Sequence, residues 1–190
     1  MPSSRPLRAD ARRNREALLG AARAALLADG NAYVEAIARR AGVSVGTLYR
    51  HFETREALVA EVYRQEVVEL CATPAQLLAL HAPDEALRSF LLLLVEHAAV
   101  GRGMGEVLEN IMATDSPIYD DTRTEMARAL DELLAAGVDA CLLRGGVSGR
   151  VLLRALGGIC GMRTTGWQDD AVHIATILYD GLRYGATNHG

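Results

Sequence analysis

Helical periodicity is the feature that most restricts how this chain of 190 residues can fold. Apolar residues recur at intervals of three and four, as in Leu18, Ala21, Ala25 and Leu26, whereas the strict alternation typical of strands is almost absent. The pattern predicts an all-α protein of about nine helices. A chain of this length can bury a substantial core, as one domain or as a small domain joined to a larger one.

Helix-breaking residues divide the periodic pattern into elements. Pro74 lies inside a long apolar stretch, so we expect a kink or a break there, because proline lacks the backbone donor that a helix interior needs. Pro83 and Pro117 begin further helices, since proline is tolerated in the first helical turn. A loop ends at Ser148, which begins the next helix, and the last helix is predicted from Asp169 onwards.

Charge is distributed unevenly between the two ends of the chain. Residues 1–55 contain ten arginines against five acids, a net charge of +5, whereas residues 56–190 contain ten arginines against nineteen acids, a net charge of −9. A basic head on an acidic body indicates that the head meets a polyanion. We therefore predict two domains, a head at residues 1–54 and a body at residues 55–190.

Membrane segments and reactive sites are not predicted. The longest apolar stretch, from Phe90, is interrupted by Glu96 and His97 after six residues, whereas a span needs about 20. We expect a cytoplasmic protein whose three cysteines (Cys71, Cys141 and Cys160) are buried apolar thiols.

Catalytic and metal-binding motifs are missing from the sequence. There is no phosphate-binding loop ending in Lys-Ser/Thr, no HExxH, no CxxC and no GxSxG. Asp169 and His173 are one helical turn apart and are expected to form a surface pair rather than a metal site. We predict no catalytic residue, no metal and no cofactor.

The segment VEAIARRAGVSVGTLYRHF, residues 34–52, meets the requirements of a helix-turn-helix. Ala38 is small where the two helices must cross, and Gly42 follows where the turn needs a positive φ. Ser44 is a good N-cap for the second helix. Leu48 and Phe52, four residues apart, are predicted to point into the core.

The other face of the second helix has the composition of a surface that enters the DNA major groove. Its N-terminus supplies free backbone N–H groups and a positive dipole for a phosphate. Thr47 and Tyr49 can donate to phosphates, whereas Arg50 and His51 can reach phosphates or base edges. Arg55, at the start of the next helix, can hold another phosphate.

Gly46 is the residue of this helix that most needs an explanation. A glycine inside a helix costs about 1 kcal/mol relative to alanine. We interpret it as a gap that lets the start of the helix lie close to DNA. The alternative is that glycine only relaxes a crowded turn.

The chain from Arg13 to about Glu69 resembles the N-terminal domain of TetR/AcrR-type transcriptional regulators. The resemblance rests on three segments: REALLGAARAALLADG, EAIARRAGVSVGTLYRHF and ETREALVAEVY. It implies an all-helical homodimer whose first three helices bind a palindromic double-stranded operator. The remaining helices would form a body for ligand binding and dimerisation, similar to that of an actinobacterial group with an SbtR-like C-terminal domain.

The resemblance also implies which residues contact DNA. The family's DNA-contacting positions fall on Ser44, Val45, Thr47, Tyr49, His51 and Arg55. Tyr33 stands where the family often has a Ser or Thr cap, so the cap is weaker, although the Tyr33 hydroxyl can still reach a phosphate.

Two further surfaces are expected in the body. The last two helices would pair with those of a second copy, through Leu153, Leu156, Gly157, Ile159, Ile174, Ile177, Leu178, Gly181 and Leu182. An apolar or aromatic effector would be lined by Phe90, Leu94, His97, Met104, Met112, Met126 and Trp167. The alternatives are that the helices close an intrachain core and that the lining residues are ordinary core residues.

The leading hypothesis is therefore a ligand-responsive repressor that binds an operator as a homodimer and is released by a small effector. A second hypothesis, an enzyme on a helical body, has no motif to support it. A third is a protein of the same fold whose body binds a protein partner or has a structural role, without any effector.

Overall fold

The computed structural model describes residues 5–28, 32–104, 117–161 and 164–184. Within these ranges the chain forms nine helices and no strand, which confirms the all-α prediction. The helices are α1 (Arg5–Ala28), α2 (Val34–Arg40), α3 (Val45–His51), α4 (Arg55–Cys71), α5 (Pro74–Leu80), α6 (Pro83–Gly103), α7 (Pro117–Asp139), α8 (Gly149–Cys160) and α9 (Trp167–Arg183).

The predicted helix breakers lie at helix boundaries. Helix α4 ends at Cys71 and α5 begins at Pro74, so the expected interruption is a complete break. Pro83 and Pro117 are the first residues of α6 and α7. Helix α9 begins at Trp167, two residues before the predicted start. None of the described helices is both long enough and apolar enough to span a membrane.

The chain divides into two compact units, Met1–Gln65 with Val100–Ser116 and Glu66–Ala99 with Pro117–Gly190. This division follows packing and falls after Gln65, within α4. The predicted boundary at residue 54 instead separates the segment expected to bind DNA from the rest of the chain. Helix packing does not test a boundary of that kind, so this boundary stays a prediction.

The first unit contains α1, α2 and α3, with α1 packed on α2 and α2 packed on α3. Its interior is formed by fully buried aliphatic side chains at helical spacing, among them Leu18, Leu26, Ile37, Leu48 and Leu58. Burying each such side chain contributes about 1.5–3 kcal/mol, which holds the short helices α2 and α3 in place. Helices of seven residues would be marginal in isolation.

The second unit is organised around α7, which packs against α5 and α8, while α8 packs against α9. Helices α7 and α8 approach closely at Gly149, where an added Cβ would lie 2.1 Å from the carbonyl oxygen of Ala127. The backbone N–H of Gly149 donates to Oδ1 of Asp131 at 2.6 Å. Glycine is therefore required here by the neighbouring helix rather than by its own backbone dihedrals.

A polar cluster joins the start of α6 to the end of α9. The Tyr179 hydroxyl donates to Oε1 of Glu85 at 2.7 Å, and Nε of Arg183 lies 3.2 Å from Oδ2 of the buried Asp84. The guanidinium of Arg88 also lies over the Tyr179 ring, 6.0 Å from its centroid. This cluster fixes the register of α9 against α6.

The cysteines are less buried than predicted. Cys71 and Cys160 are partly exposed and Cys141 is exposed, and none of these three described cysteines forms a disulfide. The prediction was wrong for Cys141 because α7 ends at Asp139 and the chain then turns, with Cys141 at a φ of 56°. Burial, together with the charge of Glu125, raises the pKa of Cys71 to about 11, so this thiol stays protonated at neutral pH.

Candidate DNA-binding site

The turn between α2 and α3 has the geometry that the sequence predicts. Gly42 has a φ of 71°, in the left-handed region that favours glycine. Its backbone N–H donates to the carbonyl of Arg39 at 3.2 Å, and the N–H of Val43 donates to the carbonyl of Ala38 at 3.0 Å. These bonds satisfy the last carbonyls of α2 and reverse the chain within four residues.

Ser44 begins α3 as its N-cap. Its side chain accepts the backbone N–H of Thr47 at 3.1 Å, and the two hydroxyl oxygens lie 2.9 Å apart. The Ser44 backbone is extended, as a capping residue requires. Both hydroxyls lie at the N-terminal end of α3, where the helix dipole favours an anion.

The inner and outer faces of α3 are clearly separated. Leu48 is fully buried and Phe52, which follows the helix, is 4% exposed, so both point into the core as predicted. Tyr49 is 46% exposed and Arg50 is also exposed. Val45, Thr47 and His51 are partly exposed. The predicted DNA-contacting residues of α3 are thus all at least partly exposed, in contrast to Leu48.

Gly46 stands on this surface with free space around it. An added Cβ would lie 3.9 Å from Oγ of Ser44, an ordinary van der Waals contact, and would meet nothing closer. Its φ is not in the left-handed region. Neither crowding nor backbone conformation within the described residues therefore requires a glycine at this position.

Two residues flank the α3 surface. Tyr33 is the N-cap of α2, its side chain makes no capping bond, and it is 76% exposed. Arg55 is partly exposed at the first position of α4, whose start is capped by Oγ1 of Thr54, which accepts the N–H of Ala57 at 3.0 Å. Both side chains are on the surface, where a phosphate could reach them.

Two charged residues of the same unit were missed by the sequence analysis. Nη2 of Arg15 on α1 lies 2.9 Å from Oε1 of Glu61 on α4, and the Arg15 guanidinium lies over the Phe52 ring, 5.2 Å from its centroid. No local spacing connects Arg15, Phe52 and Glu61, because they lie in separate parts of the chain: α1, the residue after α3, and α4. Only a prediction of helix packing could have found them.

The residues predicted to line an effector site are distributed over both units. Phe90, Leu94 and Met126 are buried in the second unit, and Met104 is fully buried but belongs to the first. Met112 lies outside the described residues.

His97 of the same predicted set is partly buried and its side chain is desolvated. Burial lowers the pKa of His97 from its ordinary value, and the charge of Glu66, itself 9% exposed, opposes this shift. The imidazole beside the nearly buried carboxyl of Glu66 is a polar feature among the mainly apolar buried side chains of the second unit.

A surface cavity of about 220 Å³ lies between the end of α8 and the start of α9. It is lined by Ile159, Thr164, Trp167, Asp170, His173 and Ile174. Trp167 is the only residue of the predicted effector set in this described lining. The cavity is smaller than a typical small-molecule site of about 300–1,000 Å³.

The residues predicted for a dimer interface fall into two groups. The first group is buried within the protomer and comprises Leu153, Leu156 and Leu182. The exposed or partly exposed group comprises Gly157, Ile159, Ile174, Ile177, Leu178 and Gly181, with Ile177 51% exposed.

Known protein families match both the N-terminal and the C-terminal part of the chain. The profile of "Bacterial regulatory proteins, tetR family" matches residues 18–62, and that of "Transcriptional regulator SbtR-like, C-terminal domain" matches residues 82–184. Among curated proteins, none matches this sequence.

Solved structures with the same fold include two regulators of clear sequence similarity. A TetR transcriptional regulator from Streptomyces coelicolor is 35% identical, with 89% of this chain and 98% of that chain covered and a TM-score of 0.70. A TetR transcription regulatory protein from Mycobacterium vanbaalenii is 33% identical, with 94% and 99% covered and a TM-score of 0.69. SmeT of Stenotrophomonas maltophilia, 18% identical over 90% and 92% of the two chains with a TM-score of 0.60, shares the fold alone.

The helix-turn-helix and the helical body define a bacterial DNA-binding transcriptional regulator. The chain belongs to the TetR family, with a C-terminal domain of the SbtR-like type. The resemblance predicted from the sequence is therefore confirmed.

Proposed function

We propose that this protein is a homodimeric repressor that binds a palindromic operator through α3 and is released by a small apolar or aromatic effector. The observation that carries the proposal is the accessible face of α3, capped by Ser44 and open at Gly46. An α-helix fits the width of the major groove, and its N-terminal residues then reach base edges.

The roles of individual residues follow from their positions on this face. Ser44, Thr47 and Tyr49 offer hydroxyls, and Arg50 and His51 offer cationic or donor groups at the C-terminal end of α3. We propose that Tyr33, Val45 and Arg55 complete the contact surface. Phosphate contacts would set the register, whereas base contacts would give sequence specificity.

The charge distribution supports the same orientation on DNA. The basic head would be attracted to the phosphate backbone, and the acidic remainder of the chain, with a net charge of −9 over residues 56–190, would be repelled from it. A protein with these two parts would act in the cytoplasm, where the operator is.

Dimerisation is proposed through the exposed faces of α8 and α9. An added Cβ at Gly157, Gly158 or Gly181 would meet nothing within 4 Å, so these glycines leave flat surface where a second helix can approach closely. Ile177, which is 51% exposed, and Val151, also 51% exposed, supply apolar area there. Two copies related by a two-fold axis would place their α3 helices about one turn of DNA apart.

The effector is proposed to bind in the body at the predicted residues of α6, α7 and α9. An apolar ligand would suit Phe90, Leu94 and Met126, and His97 would provide a polar group to orient it. Ligand binding would shift the equilibrium towards a body conformation in which the half-site spacing no longer fits the operator.

Selection of the purified protein on random duplex DNA, with affinity followed against salt, tests the proposal. We expect a palindromic consensus and a steep fall of affinity with salt, because each neutralised phosphate releases counterions. The absence of a consensus, or binding that salt does not affect, would refute DNA reading by α3. In that case the body would be tested as a docking surface for a protein partner.

Sedimentation of a Gly157→Leu variant tests the proposed dimer surface. The added side chain meets no atom of the protomer within 4 Å of its Cβ, so the fold should persist while the second copy is excluded. We expect a folded monomer with operator affinity reduced by more than tenfold, since a single head loses the contacts of the second half-site. A dimer of unchanged stability would place the interface elsewhere.

A further inference from the structure

Glu61 on α4 is the centre of an ion-pair network that links α1 to α4 within the first unit. Its Oε1 lies 2.9 Å from Nη2 of Arg15 on α1 and 2.8 Å from Nη2 of Arg64, and its Oε2 accepts Nε of Arg64 at 3.0 Å. The Glu61 side chain is only 17% exposed. Arg64 therefore holds the carboxylate in a fixed orientation, with one oxygen directed at Arg15.

Arg15 connects this carboxylate to the end of α3. Its guanidinium carbon lies 5.2 Å from the centroid of the Phe52 ring, a distance at which a cation and an aromatic face attract each other. Phe52 is 4% exposed and caps α3, because its backbone N–H donates to the carbonyl of Leu48 at 2.9 Å. Contacts therefore run from Glu61 through Arg15 and Phe52 to the last turn of α3.

We propose that Glu61 and Arg15 are positioning residues that set the orientation of α3 for operator recognition without touching DNA. The inference rests on the proposed function and extends it to residues outside the DNA-contacting face. An acidic residue in the same unit as a DNA-contacting helix is otherwise unfavourable, since its charge repels phosphates. Its presence is explained if the charge is needed to hold Arg15 over Phe52.

The network is present throughout the pH range in which duplex DNA is studied. The bonds from Arg64 outweigh the effect of burial and, with Arg15, lower the pKa of Glu61 to about 2. The carboxylate is therefore ionised at any pH used for DNA binding, so its ion pairs with Arg15 and Arg64 persist under those conditions.

The test compares Glu61→Gln with Glu16→Gln. Each variant removes one negative charge from the first unit, but Glu16 is 65% exposed and pairs at 3.5 Å with Arg12 on its own helix. Electrostatics alone predicts that both variants bind DNA more tightly. We expect Glu61→Gln instead to weaken specific operator binding roughly fivefold to tenfold, the effect of losing one partly buried charged contact, and to leave non-specific binding unweakened.

Arg15→Met separates a positioning role from a general loss of stability. If Glu61 acts through Arg15, Glu61→Gln will weaken operator binding in the wild-type background and have little further effect in the Arg15→Met background. Equal effects in both backgrounds would overturn the proposal, as would Glu61→Gln binding the operator as tightly as Glu16→Gln. Circular dichroism identifies a temperature at which all variants are folded, and binding is compared there.

Amide hydrogen exchange tests the same linkage without DNA. We expect Glu61→Gln and Arg15→Met to increase exchange at Leu48 and Phe52 while the amides of α1 keep their protection. Unchanged protection of α3 would overturn the proposal. If the wild-type protein selects no operator, the proposed function fails, and this exchange measurement still decides whether Glu61 orders α3.

Discussion

The Ser44 hydroxyl accepts the backbone N–H of Thr47 at 3.1 Å and lies 2.9 Å from the Thr47 hydroxyl, so one pair of side chains both caps α3 and occupies its proposed phosphate-facing end. A phosphate bound there would meet the free N–H groups of the helix N-terminus and the two hydroxyls together. Stability and the proposed DNA binding would therefore depend on the same atoms, and substitutions at Ser44 can separate the two.

Ser44→Asp is expected to keep the fold and lose the operator. Aspartate caps helices as well as serine does, whereas Ser44→Ala should lower the free energy of unfolding by about 1 kcal/mol. The added charge of aspartate would repel the phosphate, so we expect more than tenfold weaker operator binding for Ser44→Asp than for Ser44→Ala. Urea denaturation and DNA titration of both variants check this. Equal affinities would mean that no phosphate approaches Ser44.

Gly46→Ala is expected to stabilise the protein while weakening DNA binding. The added methyl group has space within the protomer, and alanine favours a helix over glycine by up to about 1 kcal/mol. Gly20→Ala is the matched control, since Gly20 is an exposed position of α1 with nothing within 4 Å of an added Cβ. Thermal unfolding should show both variants stabilised, and operator titration should show only Gly46→Ala impaired. Full operator affinity in Gly46→Ala would remove our explanation of this glycine.

Gly149→Ala is expected to destabilise the second unit severely. The new methyl carbon would lie 2.1 Å from the Ala127 carbonyl oxygen and 2.7 Å from Cβ of Leu130, so α7 and α8 would have to move apart. Overpacking of this kind costs about 1–3 kcal/mol or more. Gly158→Ala on the same helix, which meets nothing within 4 Å, serves as the control. Denaturant midpoints of the two variants should differ widely; similar midpoints would contradict the close approach of these helices.

The contribution of Glu61 to stability is expected to disappear in acid. The native pKa of about 2 lies below the ordinary value of 4.5, so ionisation stabilises the folded state above pH 4.5, and this stabilisation is lost as the pH falls towards 2. We expect Glu61→Gln to be less stable than wild type at pH 7 by roughly 1 kcal/mol, because both arginine partners are about half exposed to screening water. Urea midpoints at pH 7, 4.5 and 3 should show this difference narrowing only below pH 4.5. A constant difference would assign the effect to packing.

Tyr179→Phe is expected to lower the free energy of unfolding by about 1–2 kcal/mol, the effect of losing a hydrogen bond to a charged acceptor. Burial, the bond to Glu85 and the nearby Asp84 raise the pKa of Tyr179 to about 12, so the hydroxyl is a donor at any pH near neutral. Tyr184→Phe is the control, since Tyr184 is 85% exposed. Chemical denaturation of both variants measures the difference. Equal stability would show that water replaces the Tyr179 donor without loss.

The contacts that sequence reasoning could predict are those between neighbours along the chain. The positive φ of Gly42, the caps at Ser44 and Thr54 and the breaks at Pro74, Pro83 and Pro117 each depend on a few consecutive residues. The inward face of α3, with Leu48 and Phe52, follows from helical spacing alone. For this reason the family and the face proposed to meet DNA could both be predicted.

The tertiary structure decided what depends on the approach of distant helices. The Arg15–Glu61 pair over Phe52, the fit of Gly149 against Ala127 and the burial of Leu153 and Leu156 within the protomer arise only when helices pack. Local spacing assigns each residue to a helix face but leaves the partner of that face open. Hydrophobic packing then selects one arrangement, which determines where Glu61 and Gly149 lie and what they touch.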